Sequence, residues 1–90
     1  MNLWTAAKMI GGGNPRRGLQ SIRDIAVGCK EIRKNSPVFA EGEYHALGII
    51  GEKFRELEQA VEKDTPKQQK EKALHIAVAA IRFMQDEHNV

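Results

Sequence analysis

Apolar residues recur along this chain at spacings of three and four, and no stretch reads as a convincing strand. The pattern predicts four helical segments. The first is short, about Leu3 to Ile10, with Leu3, Trp4, Ala7 and Ile10 on its apolar side. The run "GGGNPRRG" ends it, because glycine costs backbone entropy and proline restricts the residue before it. The second segment is predicted over about Leu19 to Lys34, where Leu19, Ile22, Ile25, Cys29 and Ile32 form one amphipathic face. "KNSPVFAEGE" breaks that pattern with Pro37 and Gly42.

The third segment, about Glu43 to Lys63, has the cleanest rhythm. Leu47, Ile50, Phe54, Leu57 and Val61 step by alternating threes and fours, which predicts a packing seam against a nearly aligned helix. Thr65, Pro66 and Gln68 read as N-cap, first-turn proline and capping-box partner of a fourth helix, about Pro66 to Gln85. The turn between them is short, so an antiparallel hairpin is expected. The fourth helix is apolar on two sides. Leu74, Ala77, Val78, Ile81 and Met84 form one side, and Ile76, Ala80 and Phe83 another. Both sides must be covered, and in a chain of 90 residues the second predicts contact with another subunit, hence a homodimer. The fold expected is all-α: a small bundle of three main helices plus a short N-terminal helix, in one domain spanning residues 1–90.

Composition changes this picture little. Hydrophobic residues make up 41% and charged residues 29%, ordinary for a globular protein. The formal charge of +2 is too balanced to point to a nucleic-acid partner. The one basic cluster is Arg16 and Arg17 with Lys8 and Arg23, enough for a local phosphate contact only. Cys29 is the single cysteine, so no intramolecular disulfide and no cysteine-based zinc site is expected; its periodic position reads as a buried thiol. No run is long and apolar enough to span a membrane, and the N-terminus lacks signal-peptide character. A cytoplasmic location is the resulting expectation.

Carboxylates in the third helix raise the question of chemistry. With Phe54 set at zero and 100° per residue, the seam clusters within about 60° of it, and Glu52 and Glu56 lie roughly opposite. On the fourth helix Glu71 and His75 are one turn apart. Two helices of a hairpin, each offering an i, i+4 pair, could converge on one magnesium ion bound to a phosphate. The other reading is a solvated face, because Lys53, Arg55 and Lys63 stand among those glutamates. His45 and His88 have no partner at metal-ligand spacing. No nucleophile–base–acid arrangement, P-loop or dinucleotide fingerprint is present, and "IGGGNPRRG" follows no strand.

"EYHALGIIGEKFRELEQAV", then a short polar turn, then "KEKALHIAVAAIRFMQDE", resembles the MazG-like all-α nucleoside triphosphate pyrophosphohydrolases. The likeness is to the small versions carried by bacteriophages and prophages, and covers about Ser36 to Glu87. It rests on the rhythm "GEKFREL", on the turn, and on an acidic–x–x–acidic helix that leads into the alanine-rich run "IAVAAIRF". In that family two acidic pairs bind magnesium, which holds the triphosphate and activates water at the α–β linkage. Carried over, Glu52 and Glu56 stand at the first and third acidic positions of the first motif, with Lys53 at the metal-binding second. Glu71 matches an acidic position of the next helix, Lys72 replaces its motif glutamate, and His75 replaces its motif aspartate. Of four ligand positions only Glu56 keeps its carboxylate.

A lysine offers no lone pair at neutral pH and repels magnesium, and magnesium prefers oxygen to imidazole. The resemblance therefore implies a MazG-like protein without catalysis, acting by binding a protein partner or a nucleotide. Lys53 and Lys72 would then hold phosphate in place of the metal. The alternative is an active magnesium-dependent pyrophosphohydrolase using a shifted set, Glu52, Glu56, Glu71 and His75. A third is a small nucleic-acid-binding regulator using Arg16, Arg17 and Arg23.

Overall fold

The computed structural model describes residues 1–89, and among these the only regular elements are four helices. They are α1 (Leu3–Ile10), α2 (Pro15–Asn35), α3 (Glu43–Lys63) and α4 (Pro66–Met84). Among the described residues no helix is long and apolar enough to cross a membrane.

α2 begins earlier than its apolar periodicity implies. Asn14 and Pro15, expected to keep the chain out of a helix, start one instead. The Asn14 side chain accepts from the backbone N–H groups of Arg16 (3.1 Å) and Arg17 (3.3 Å). Pro15 occupies the first turn, where its missing N–H costs nothing. The glycines before them have a definite job: Gly12 (φ 63°) and Gly13 (φ 96°) turn the chain through the left-handed region. The capping box of α4 forms as expected, with Gln68 N–H donating to Thr65 Oγ1 (3.4 Å) and Thr65 N–H to Gln68 Oε1 (3.1 Å). Asp64 and Thr65 alone separate α3 from α4, which gives the hairpin its tight turn.

The helices pack as two hairpins. α1 touches α2 and no other element, α3 touches α4, and α2 meets α4 but not α3. The α1–α2 contact is made backbone to backbone: a Cβ added at Gly18 would lie 1.6 Å from the carbonyl oxygen of Ala7. The junction between the hairpins runs through Gly28, whose missing side chain lets Leu74 and Val78 approach.

α4 is sandwiched. Leu74 and Val78 face α2, while Ala79 and Phe83 pack with Ala46, Ile49 and Ile50 of α3 and with Phe39 and Ala40 of the linker. Its two apolar sides are thus met largely within the chain, and Ile76 and Ala80 are half-buried. The core is small: Val78 is the largest side chain shielded from water completely.

The inner face of α3 differs from the seam expected. Ala46 and Ala60 are fully buried, with Ile50, Lys53 and Leu57 half-buried between them. The alanine-rich surface of α4 admits small residues closely, so α3 turns its alanines inward. Leu47, Phe54 and Val61 stay outside, at 62%, 55% and 62% exposure. Cys29 is a buried free thiol.

One polar assembly ties the linker to the C-terminal ends of α2 and α4 and to the start of α3. The Arg82 guanidinium is 2% exposed. It donates to the carbonyls of Ser36 (3.0 Å) and Pro37 (3.1 Å) and, through Nε, to Glu87 (2.9 Å). It also lies over the Phe39 ring, 5.2 Å from the centroid. Glu87 accepts in addition from Arg33 Nε (3.1 Å) and Nη2, which joins α2 to the turn after α4. His88 stacks on Phe83 with ring centroids 4.4 Å apart, and its carbonyl accepts from Gly42 N–H (2.8 Å) at the start of α3.

The Arg33 hydrogen bond holds the Glu87 carboxyl below its ordinary range, against partial desolvation and with further help from Arg82. Ionised Glu87 therefore stabilises the fold. That contribution is complete above the unfolded value, about 4.3, and is lost as the pH falls through the lower folded value. The melting temperature should drop more steeply in wild type than in Glu87→Gln when the pH is lowered below about 4.3. Parallel acid titrations of the two proteins, followed by circular dichroism, check this.

Candidate functional site

The end of α2, the linker, α3 and α4 enclose a cleft of about 340 Å³. Its existence follows from the linker. Arg82 holds the carbonyls of Ser36 and Pro37, which fixes the start of the linker, and Val38 and Phe39 after it wall the cleft. Ile32, Ile49, Val78 and Ala79 complete its apolar surface. Five polar residues line it: Asn35, Ser36, Lys53, His75 and Arg82. That combination, mostly apolar walls with a few placed polar groups, and that volume are typical of small-molecule sites.

Lys53 connects the cleft to a second cationic group. Its ammonium lies 3.9 Å from Glu56 Oε2, one turn on along α3. The Lys72 ammonium reaches the same oxygen from α4, at 4.0 Å. All three side chains are about one-third exposed, so water screens them and the pairs add little to stability. The local balance of two ammonium groups and one carboxylate is positive. An anion arriving here meets two donors already positioned, with Glu56 as the group it must displace or bridge around.

Glu56 lies nearer α4 than helical geometry around the expected seam implied, because the inner face of α3 is rotated toward it. Glu52 is exposed and forms no ion pair among the described residues. Glu71 lines a separate groove between α2 and α4, with Asp24 and Glu31 across from it and Lys67 and Lys70 beside it. His75 lines the cleft with Lys53. Among the described residues no three His, Cys, Asp or Glu side chains are grouped so as to hold a metal ion. Arg16, Arg17 and Arg23 are exposed on α2 and form no ion pair among the described residues.

Asn35, Ser36, Val38 and Phe39 do not stand out in the sequence as site residues. They sit in a segment that reads only as a helix break, and their meeting with α3 and α4 depends on distant contacts. Arg82 does carry a signal, being a lone cation inside "IAVAAIRFM". A charge between apolar neighbours on a helix that must be covered will be buried, and then needs several partners.

No family model, no curated protein and no solved structure matches this chain.

Proposed function

We propose that this chain is a MazG-like helical protein of the phage or prophage type that binds a nucleotide in the cytoplasm without hydrolysing it. The observation that carries the reading is the grouping of Glu56 with Lys53 and Lys72. The resemblance sets those three at metal-ligand positions, and each ammonium lies within 4.0 Å of the same Glu56 carboxylate oxygen. Two ammonium groups there supply the positive charge that magnesium supplies to a triphosphate elsewhere. They do not supply what hydrolysis needs. An ammonium holds no water for deprotonation, whereas a metal lowers the pKa of the water it binds.

The cleft beside Lys53 takes the other half of the ligand. A nucleobase is flat and largely apolar on its faces, which suits walls made by Val38, Phe39, Ile49 and Val78. Asn35 and His75 offer hydrogen bonds to its edge. Phosphates then project past Lys53 toward Lys72.

A panel of nucleoside triphosphates, with and without magnesium or manganese, tests the proposal. No monophosphate or pyrophosphate should appear. The nucleotide should raise the melting temperature in the absence of divalent metal. At one hundred times Kd the gain is about 2.7 kcal/mol, roughly 10 °C or more for a domain of this size. Lys53→Ala or Lys72→Ala should weaken binding by about tenfold or more, the loss of one charge-assisted hydrogen bond. Turnover that disappears in Glu56→Ala would establish the active-enzyme alternative and end this reading. A melting temperature unmoved by any nucleotide would remove the nucleotide and leave a protein partner. The double change Lys53→Glu with Lys72→Glu should give three neighbouring carboxylates, and with them a magnesium-dependent stabilisation that wild type lacks. DNA binding with a steep salt dependence would be the signature of the basic cluster instead.

A further inference from the structure

The charge of +2 for the whole chain hides a division between its parts. Residues 1–35 hold seven of the 14 basic side chains but two of the 12 acidic ones, a balance of +5, which leaves −3 for the rest. The surplus is not spread evenly round α2. Gly18 of that helix faces α1, and Gly28 faces α4. At 100° per residue those two lie about 80° apart, and the arc from about 80° to 180° on the other side of Gly18 carries Arg16, Arg23, Lys30 and Lys34. Asp24 and Glu31 fall outside that arc. The four cations make a row about 27 Å long. All are exposed, and none forms an ion pair among the described residues. α1 packs on α2 alone and extends the face. Ala7 meets α2, and Trp4 and Lys8 lie about 60° and 100° round from it. In a right-handed helix running antiparallel to α2, that is the flank beside Leu19 and Arg23.

A polyanion is the complement of this face, and the residues between the cations say which kind. They are Leu19, Ala26 and Val27, which offer no hydrogen bond to a base edge or a sugar. Val27 and Trp4 are each more than half exposed. Apolar surface of that kind gains nothing against a phosphate backbone, but it does gain at the border of headgroups and acyl chains. Several cations on one helical face, with a tryptophan beside them, suit a segment that lies on anionic lipid. We propose that the α1–α2 hairpin docks on an anionic bilayer surface. α2 lies flat, with its row of cations on the headgroup phosphates and with Val27 and Trp4 dipping toward the acyl chains. The chain rests on the bilayer without spanning it. None of these residues lines the nucleotide cleft, so the inference stands apart from the nucleotide reading.

Vesicle co-sedimentation of the full chain tests it, and Trp4, the chain's single tryptophan, reports on this face alone. At low ionic strength the wild type should pellet with equimolar phosphatidylglycerol–phosphatidylcholine vesicles, and its emission should move to shorter wavelength. With vesicles of phosphatidylcholine alone it should stay in the supernatant. Arg23→Gln and Lys30→Gln should each lower partitioning about fivefold while keeping the helical circular dichroism. Lys67→Gln and Lys70→Gln, which remove exposed cations of α4 outside the row, should leave partitioning unchanged. A wild type that does not pellet with the anionic vesicles overturns the inference, and so does an equal loss in the α4 variants, which would mean net charge alone. Pelleting with no change in Trp4 emission overturns it as well. Binding to a labelled DNA oligonucleotide with none to the vesicles would make the row a phosphate-backbone contact instead.

Discussion

Replacing Arg82 with alanine is expected to cost about 3–5 kcal/mol, the largest effect of any single side chain here. Total stability for a domain is about 5–15 kcal/mol, and a chain with so small a core belongs toward the lower end. The variant should therefore be mostly unfolded under mild denaturant, with a urea midpoint well below that of wild type. Three losses combine. The carbonyls of Ser36 and Pro37 lose donors in a place water reaches poorly. Glu87 keeps only Arg33. A space the size of a guanidinium opens under the Phe39 ring. Arg82→Lys keeps the charge but cannot serve three acceptors in fixed directions, so it should recover only part of the loss. Urea titrations of the three proteins decide the order: wild type, lysine, alanine.

Gly18→Ala should have the second largest effect, and its sign runs against helix propensity. Inside a helix alanine is ordinarily better than glycine by about 1 kcal/mol. At Gly18 the new methyl would overlap the Ala7 backbone, which cannot move aside as a flexible side chain can. The two helices must separate, and α1 packs on no other helix that could hold it. An eight-residue helix is not stable alone in water. The expected result is loss of the α1 contribution to circular dichroism and rapid tryptic cleavage after Lys8, with α2 to α4 retained. Gly48→Ala is the control. Nothing lies within 4 Å of the methyl it would add on α3, so it should stabilise the protein by about 0.5–1 kcal/mol.

How far the fold is legible in the sequence can be judged at particular places. The limits of α3 and the capping box of α4 follow from local chemistry, and local chemistry is printed in sequence order. The start of α2 was hidden because an Asn-Pro pair both stops and starts helices, and only the side-chain bond from Asn14 tells which. The inner face of α3 was misjudged for a different reason. Periodicity marks the large apolar residues, but α4 is rich in alanine and selects small ones, so Ala46 and Ala60 face the core while Phe54 does not. The cleft was not legible at all, since its wall is a linker held in place by an arginine some 45 residues away. Of the residues singled out for chemistry, the fold groups Glu56 with Lys53 and Lys72, sends Glu71 to another groove, and leaves Glu52 in solvent.

The division into two hairpins bears on how the chain reaches this state. α1–α2 and α3–α4 each close over a short turn, so each can assemble quickly from neighbouring residues. Their union rests on pairs far apart in sequence, such as Arg33 with Glu87 at a separation of 54. Loop-closure entropy is lost before such pairs can form. The docking of preformed hairpins should then be the slow step, and the Arg82–Glu87 assembly should close after it. Variants there would leave the folding rate nearly unchanged and speed unfolding, so a chevron plot of Glu87→Gln should move almost wholly in its unfolding limb.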